Sequence, residues 1–452
     1  MIISEIKQTC FSIVLISLLV TNLFSQQPLK KNPLIEKIVT EISSDSIKTI
    51  AEKLVSFGTR HSLSDTTNQS HGIGAARRWI LSEFERHAKS SHGSMKVEYH
   101  ESIVPSSVRI PHPTKIVNVV ATLLPRLPSN QILIVSGHYD SRCSNVLDSV
   151  SAAPGANDDA SGTAVVLELA RVFSKYDFKT SIVFIAFAGE EQGLIGSTHF
   201  VEMAKQKGWN IEGVLNNDIV GNIRGGNEEV ESTYVRLFSE AYSPLDTGLT
   251  FRNRNSLGLE NDGASRSLAR YVKEVGEQYL PNFNVKMIYR RDRFLRGGDQ
   301  LPFHERGYAA VRFTEAKENF NRQHQDVRTE GDKAYGDLPQ FMNFDYCANV
   351  ARINAAALAS LALAPPPPEE VKIMTQKLEY DTELQWNKSI SSDIAGYIVR
   401  YRETTSPLWQ HSIVTQDTTI TLKISKDDFL FGVQAIDRDG NASLVSIPHP
   451  VR

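Results

Sequence analysis

The sequence predicts an α/β fold, a mostly parallel mixed sheet covered by helices, followed by an all-β sandwich at the C-terminus. Three observations carry this. Short apolar runs alternate with helical patterns through the middle of the chain, as in βαβ units. Four consecutive prolines at 365–368 then end a helical pattern and form a stiff spacer. Beyond them the runs are short and strand-like, without a long helical pattern. The chain has 452 residues, and 41% of them are hydrophobic, enough for a substantial core. A formal charge of −3 argues against a general nucleic-acid binder. Three cysteines cannot build a disulfide-dense scaffold.

The elements follow in order. Residues 1–25 read as a secretory signal: Lys7 lies in a polar head, an apolar run spans 11–24, and small Ser25 follows. The run is shorter than the ~20 residues that cross a bilayer. It predicts a secreted, periplasmic or cell-surface protein; Lys30 and Lys31 leave an uncleaved anchor as the alternative. Cys10 precedes the run, unlike a lipoprotein cysteine. No later stretch reads as a membrane span. Residues 32–364 form the first domain, 365–368 the linker and 369–452 the second domain. In the first, 47–55 and 75–86 carry apolar residues at helical spacing, and 116–123 reads as a buried strand. Strands at 132–136, 181–188, 211–215, 285–289 and 309–313 then alternate with helices at 162–173 and 193–205. A last helix spans 346–363. In the second domain 383–386, 396–402, 418–424 and 430–436 are strand-like.

Ligands in open α/β sheets sit outside the carboxyl ends of the strands. After 132–136 come His138, Tyr139 and Asp140; a loop then supplies Asn157, Asp158 and Asp159 and opens a helix. After 181–188 come Glu190 and Glu191, and after 211–215 comes Asp218. His324 lies in a polar loop downstream. Singly, each has an ordinary reading: Asp158 and Asp159 as helix caps, Glu190 and Glu191 as solvated surface. Together they are harder to dismiss. Successive strand ends carrying His, Glu and Asp would converge on one mouth of the sheet. Clustered carboxylates repel unless a cation lies between them. Two His and three carboxylates can hold two zinc ions, one carboxylate bridging.

The ordered set GHYDS, PGANDDASG, AGEEQGL and NND, followed by a late His, resembles the co-catalytic zinc aminopeptidases of metallopeptidase family twenty-eight, over residues 34–363. The resemblance implies two Zn²⁺ per chain. His138 and Asp218 would bind one, Glu191 and His324 the other, and Asp158 would bridge them. Glu190 would be general base and acid, and Asp140 would orient His138. A cis peptide would join Asp158 to Asp159. The implied reaction is removal of N-terminal residues from peptide or protein substrates by an activated water. The second domain resembles fibronectin type III modules through Trp386, Tyr397, Tyr401 and 437–443, and would serve attachment, substrate access or packing.

Gln300 stands where the family often has His, beside Asp299, which either braces a ligand or caps a helix. Arg290, Arg291, Arg293 and Arg296 either meet a substrate carboxylate or form a solvated basic loop. Thr59-Arg60-His61 reads as structural support. Phe303 and Tyr308 read as pocket or core. Cys143 and Cys347 are the two cysteines beyond the leader. Three alternatives stay open: a carboxypeptidase or dipeptidase on the same scaffold, a one-zinc glutaminyl cyclase, and a non-enzymatic adhesion protein.

Overall fold

The computed structural model describes residues 31–127 and 129–451. The leader at 1–25 and Cys10 lie outside the described residues. An eight-stranded sheet runs in the order β1-β2-β4-β3-β5-β8-β6-β7. Its centre is β3 (Gln131–His138), β4 (Ser181–Phe187), β5 (Asn210–Asn217) and β8 (Ala310–Thr314), all parallel. These strands are near-continuous Ile, Val and Phe because both of their faces are covered. Leu133 and Val135 enter one core, while Ile134 enters the other on the opposite face. The edges turn antiparallel: β1 (Met95–Val104) pairs β2 (Thr114–Leu123), β2 pairs β4, and β6 (Tyr234–Phe238) pairs β8. Strand β7 (Asn284–Ile288) lies parallel to β6 at the far edge.

The larger core is built by α1 (Pro33–Thr40), α2 (Ser44–Val55), α3 (Gly72–Ala88), α4 (Ala160–Phe173), α7 (Ala264–Tyr279) and α9 (Phe344–Leu363). The opposite face is covered by α5 (Ile195–Gln206) and α8 (Gln300–Glu305), through Phe200, Val201 and Phe303. The short α6 (Gly248–Ser256) has no buried residue among those described. The sequence reading finds no membrane-length helix after the leader, and the structure differs. By length and composition α9 qualifies, with a mean hydropathy of 1.2, but 89% of that stretch is buried within the fold. Its seven alanines from Ala348 to Ala362 let it pack closely against α7, α1, α2 and α4.

The sequence-predicted elements are all present, with ends shifted by a few residues. Two of those it misses offer little apolar pattern. Strand β1 is an edge strand with mostly polar exposed positions, and α7 has apolar residues only on one narrow face. Phe303 is core, fully buried, and Tyr308 packs against the same cluster. Cys143 and Cys347 are buried free thiols, not a pair.

After the prolines the chain forms two facing sheets. One is β15-β12-β11-β17, from β11 (Lys372–Met374), β12 (Thr382–Gln385), β15 (Thr419–Leu422) and β17 (His449–Val451). The other is β14-β13-β16, from β13 (Ile394–Glu403), β14 (His411–Thr415) and β16 (Phe429–Asp437). Leu384, Trp386, Tyr397, Val399 and Val433 fill the space between. A small two-stranded sheet, β9 (Arg328–Glu330) with β10 (Lys333–Tyr335), precedes α9.

A buried charge triad fastens the sandwich to the first domain. Asp262 sits 3.1 Å from Arg270 on α7 and 2.7 Å from Arg402 on β13. Both guanidiniums also stack on Trp409. Removing the shared carboxylate would strand two buried cations beside each other. Breaking such a group costs about 3–5 kcal/mol. Asp262→Ala is therefore expected to lower unfolding free energy by about that amount in a urea titration; a change below about 1 kcal/mol would show the triad to be a minor contact.

Candidate metal centre at the mouth of the sheet

Strand β3 ends at His138, whose ring is buried. Its Nδ1 lies 3.1 Å from the Asp140 backbone carbonyl and 3.5 Å from Asp140 Oδ1. Its Nε2 is buried, makes no hydrogen bond, and faces Asp158 Oδ1 at 3.2 Å and Asp218 Oδ1 at 3.8 Å. Desolvation lowers the imidazole pKa, but Asp140, Asp158 and Asp218 outweigh it and hold it well above the usual histidine range. The other oxygen of Asp158, Oδ2, lies 3.0 Å from His324 Nε2, which is also 3.0 Å from Glu191 Oε1. Two groups of potential ligands result: His138, Asp158 and Asp218, then Asp158, Glu191 and His324. Within each, the ligand atoms lie within 4.8 Å of one another. Asp158 belongs to both and gives each a different oxygen.

These residues fit divalent cations. Imidazole nitrogens and carboxylates converge in both groups, with the Arg312 and Arg142 guanidiniums beside Asp218 and Glu191, and imidazole with carboxylate is a donor set for zinc. The sequence-predicted ligands thus come together, and the peptide between Asp158 and Asp159 is cis.

The supports explain how so many carboxylates share one place. Asp140 accepts the backbone N–H of Glu190 at 3.4 Å and of Glu191 at 3.2 Å, and a hydroxyl from Ser62 at 3.0 Å. It therefore braces the turn after β4 as well as His138. Asp159 caps α4 by accepting from Gly162, and also takes the N–H of His138 and of Ile219. Position 162 needs glycine: a Cβ there would meet the Asn217 carbonyl at 2.2 Å, where α4 abuts the end of β5.

Further supports were visible in the sequence only in part or not at all. Arg60 is fully buried and donates to the carbonyls of Tyr139, Leu54, Pro154 and Gly155, tying the His138 and Asp158 loops together. Asp337 accepts the backbone N–H of Asp158 at 2.7 Å and of Asn157 at 2.9 Å. Burial pushes the Asp337 carboxyl up to about 7, partly offset by those N–H bonds. Arg312 lies 2.9 Å from Asp218 and also pairs with Asp292. Arg142 donates to Glu191 at 2.9 Å and sits 2.6 Å from His324 Nδ1. Thr59-Arg60-His61 and Asp140 gave a partial signal; Arg312 and Asp337 gave none, because an isolated charge says nothing about its fold neighbours.

The two adjacent glutamates end in opposite settings. Glu191 is buried and held by Arg142 and His324. The Glu190 carboxyl has no hydrogen bond or ion pair among the described residues, and it faces the cleft. Burial, with Asp218, Glu191 and Asp299 nearby, raises it well above the usual carboxylate range. Asp299 makes no cap hydrogen bond; it accepts from Ser197 at 2.5 Å, and burial pushes it up to about 7. Gln300 is buried and donates to the Arg291 carbonyl. A cleft of about 280 Å³ opens onto Asp158, Glu190, Glu191, Asp218 and His324.

The family model for peptidase family M28 matches residues 118–337. A probable zinc metalloprotease of Leptosphaeria maculans is 44% identical over 417 residues, covering 92% of this chain and 97% of that one. One from Pyricularia oryzae is 43% identical over 417 residues, covering 91% and 83%. Among solved structures, the Legionella pneumophila LapA aminopeptidase aligns with a TM-score of 0.52 at 19% identity, over 75% of this chain and 77% of that one. An aminopeptidase from Aneurinibacillus aligns with a TM-score of 0.50 at 16% identity, over 73% and 96%. At that identity these two likenesses speak to the fold.

Asp337 is the hidden support with the most direct hold on Asp158. An amide at that position keeps one acceptor oxygen and turns the other into a donor. Asp337→Asn is expected to weaken zinc binding about 10- to 100-fold, the usual range for a residue that orients a ligand. Competition with a chromogenic chelator would read this; unchanged affinity would show that the loop holds Asp158 without Asp337.

Proposed function

The chain belongs to peptidase family M28, and from that premise we propose that it is a zinc aminopeptidase holding two zinc ions. The observation that carries this reading is the placement of Asp158, with one oxygen in each ligand group. His138 and Asp218 would hold one ion, Glu191 and His324 the other, and Asp158 would bridge. When bound, the pair would polarise the scissile carbonyl and lower the pKa of a water toward neutrality.

The protein residues supply the rest. Glu190 faces the cleft without a partner, so its carboxylate is free to take a proton from the attacking water. The water oxygen bonds to the carbonyl carbon as that proton leaves, and Glu190 then delivers the proton to the amide nitrogen as the C–N bond breaks. Environments that separate two neighbouring carboxylates assign their roles: Glu191, tied to Arg142 and His324, is a ligand, and Glu190 is the base. Asp140 keeps both in register through their backbone N–H groups. The two complete ligand groups favour this over a one-zinc cyclase. We further read the C-terminal sandwich as fibronectin type III-like and non-catalytic. The pattern at 1–25 supports export to the periplasm, cell surface or medium.

The test is Glu190→Gln, which keeps shape and removes the base. Two zinc ions per chain by elemental analysis and a fall of about 10²–10⁴-fold in turnover on free-amine peptides are expected. N-acetylated peptides should resist the wild-type protein. Wild-type turnover by the variant, or cleavage of acetylated peptides, would sink the reading.

A further inference from the structure

The same cleft is lined by four arginines: Arg109, Arg142, Arg293 and Arg296. They divide by partner. Arg142 is committed to Glu191 and His324. Arg293 lies 2.8 Å from Glu318 and 3.4 Å from Asp292. The other two have no carboxylate partner among the described residues. Arg109 gives one hydrogen bond to the Glu191 carbonyl, and the guanidinium of Arg296 makes no contact of that kind. Both are exposed, and they reach the cleft from separate loops, one between β1 and β2, the other between β7 and α8. Beside Arg296, Leu295 is 96% exposed.

Charge gives these two a purpose. Two divalent cations would balance the four lining carboxylates Asp158, Glu190, Glu191 and Asp218, and Arg293 is already paired with Glu318, so Arg109 and Arg296 would stand at the cleft as positive charge without a carboxylate. A peptide's free amine gains nothing from such a rim, whereas a carboxylate does, and a planar guanidinium matches it with two parallel hydrogen bonds.

Resting on the aminopeptidase reading above, we infer that Arg109 and Arg296 form a recognition site for a substrate carboxylate. The substrate class is therefore short peptides with a free C-terminus, or peptides carrying an acidic side chain close to the cleaved bond.

The experiment uses the full zinc-loaded chain and pairs of uncharged and charged peptides. Leucyl-leucyl-alanine is compared with its amide, and an amidated leucyl-glutamyl peptide with its glutaminyl counterpart. Turnover is measured with the wild-type protein, and binding by calorimetry with Glu190→Gln. The charged member of at least one pair should be favoured about tenfold in kcat/KM and in Kd, the low end for a hydrogen bond to a charged group. The first pair reports a C-terminal carboxylate, the second a side chain. Arg296→Gln and Arg109→Gln should each cut that ratio to about threefold, Arg296→Lys should restore part of it, and raising salt from about 0.05 to 0.5 M should compress it. Equal binding of charged and uncharged members in both pairs would overturn the inference, as would variants that leave the ratio intact. If binding discriminates and no peptide is hydrolysed, the carboxylate site stands and the aminopeptidase reading falls.

Discussion

The structure turns on one constraint: five carboxylates, from Asp158, Asp159, Glu190, Glu191 and Asp218, are forced together at the mouth of the parallel centre of one mixed sheet. Like charges so close cannot all ionise without compensation. The fold answers in two ways. Backbone N–H groups and guanidiniums neutralise what must stay buried, as Asp159 shows by taking three N–H bonds and Asp218 by lying against Arg312. What remains, at Asp158, is left to histidine nitrogen and to a cation. The topology makes the crowding unavoidable. Strand β3 sits between β4 and β5, so the crossovers leave on opposite sides and their loops meet above it.

How much of this was legible in the sequence follows from what sequence can encode locally. Most of the candidate positions were legible because they closely follow an apolar run, and runs mark strand ends. That rule brought His138, Glu190, Glu191 and Asp218 to one mouth and the helix start added Asp158; which of them would bind metal and which would be the base came from the resemblance to a family. His324 follows no strand end closely, and its assignment rested on resemblance to a family. Arg60 gave only a partial signal, and Arg312 and Asp337 were legible only in space. Each acts on residues far along the chain: Arg312 on Asp218, Asp337 on Asp158. A period or a spacing carries no trace of such a pair. The same limit hid α7. Its apolar stripe is narrow because its other side meets the sandwich and solvent, with Arg270 and Tyr271 serving as contacts to Pro407 and Ala442.

Those contacts bear on how the second domain should be viewed. Four prolines suggest a spacer between independent parts. Instead Asp262 closes a buried triad across the junction, and Lys179 pairs with Asp393 and Asp437 from the other direction. Tyr271 adds a hydrogen bond at 2.9 Å to the Ala442 carbonyl. Charged groups held this way tolerate little sliding, since each carboxylate must meet its cation in one geometry. The prolines thus set the distance at which the sandwich docks, and α7 carries its load into the core through α9.

The distribution of arginine partners separates structure from recognition within a single cleft. Arg60 and Arg312 are fully buried and held by carbonyls and carboxylates, so they cannot respond to a substrate. Arg142 and Arg293 line the cleft but are tied down, Arg142 to Glu191 and Arg293 to Glu318. Arg109 and Arg296 face solvent with donors to spare. A gradient from held to unsatisfied cations, running outward from the ligand groups, follows from the constraint with which the site begins. The inner carboxylates demand cations of fixed position, and these use up every inner guanidinium. An arginine that also lined the cleft for structural reasons would have found one of those carboxylates; the two that did not are the two that remain available to something arriving from outside.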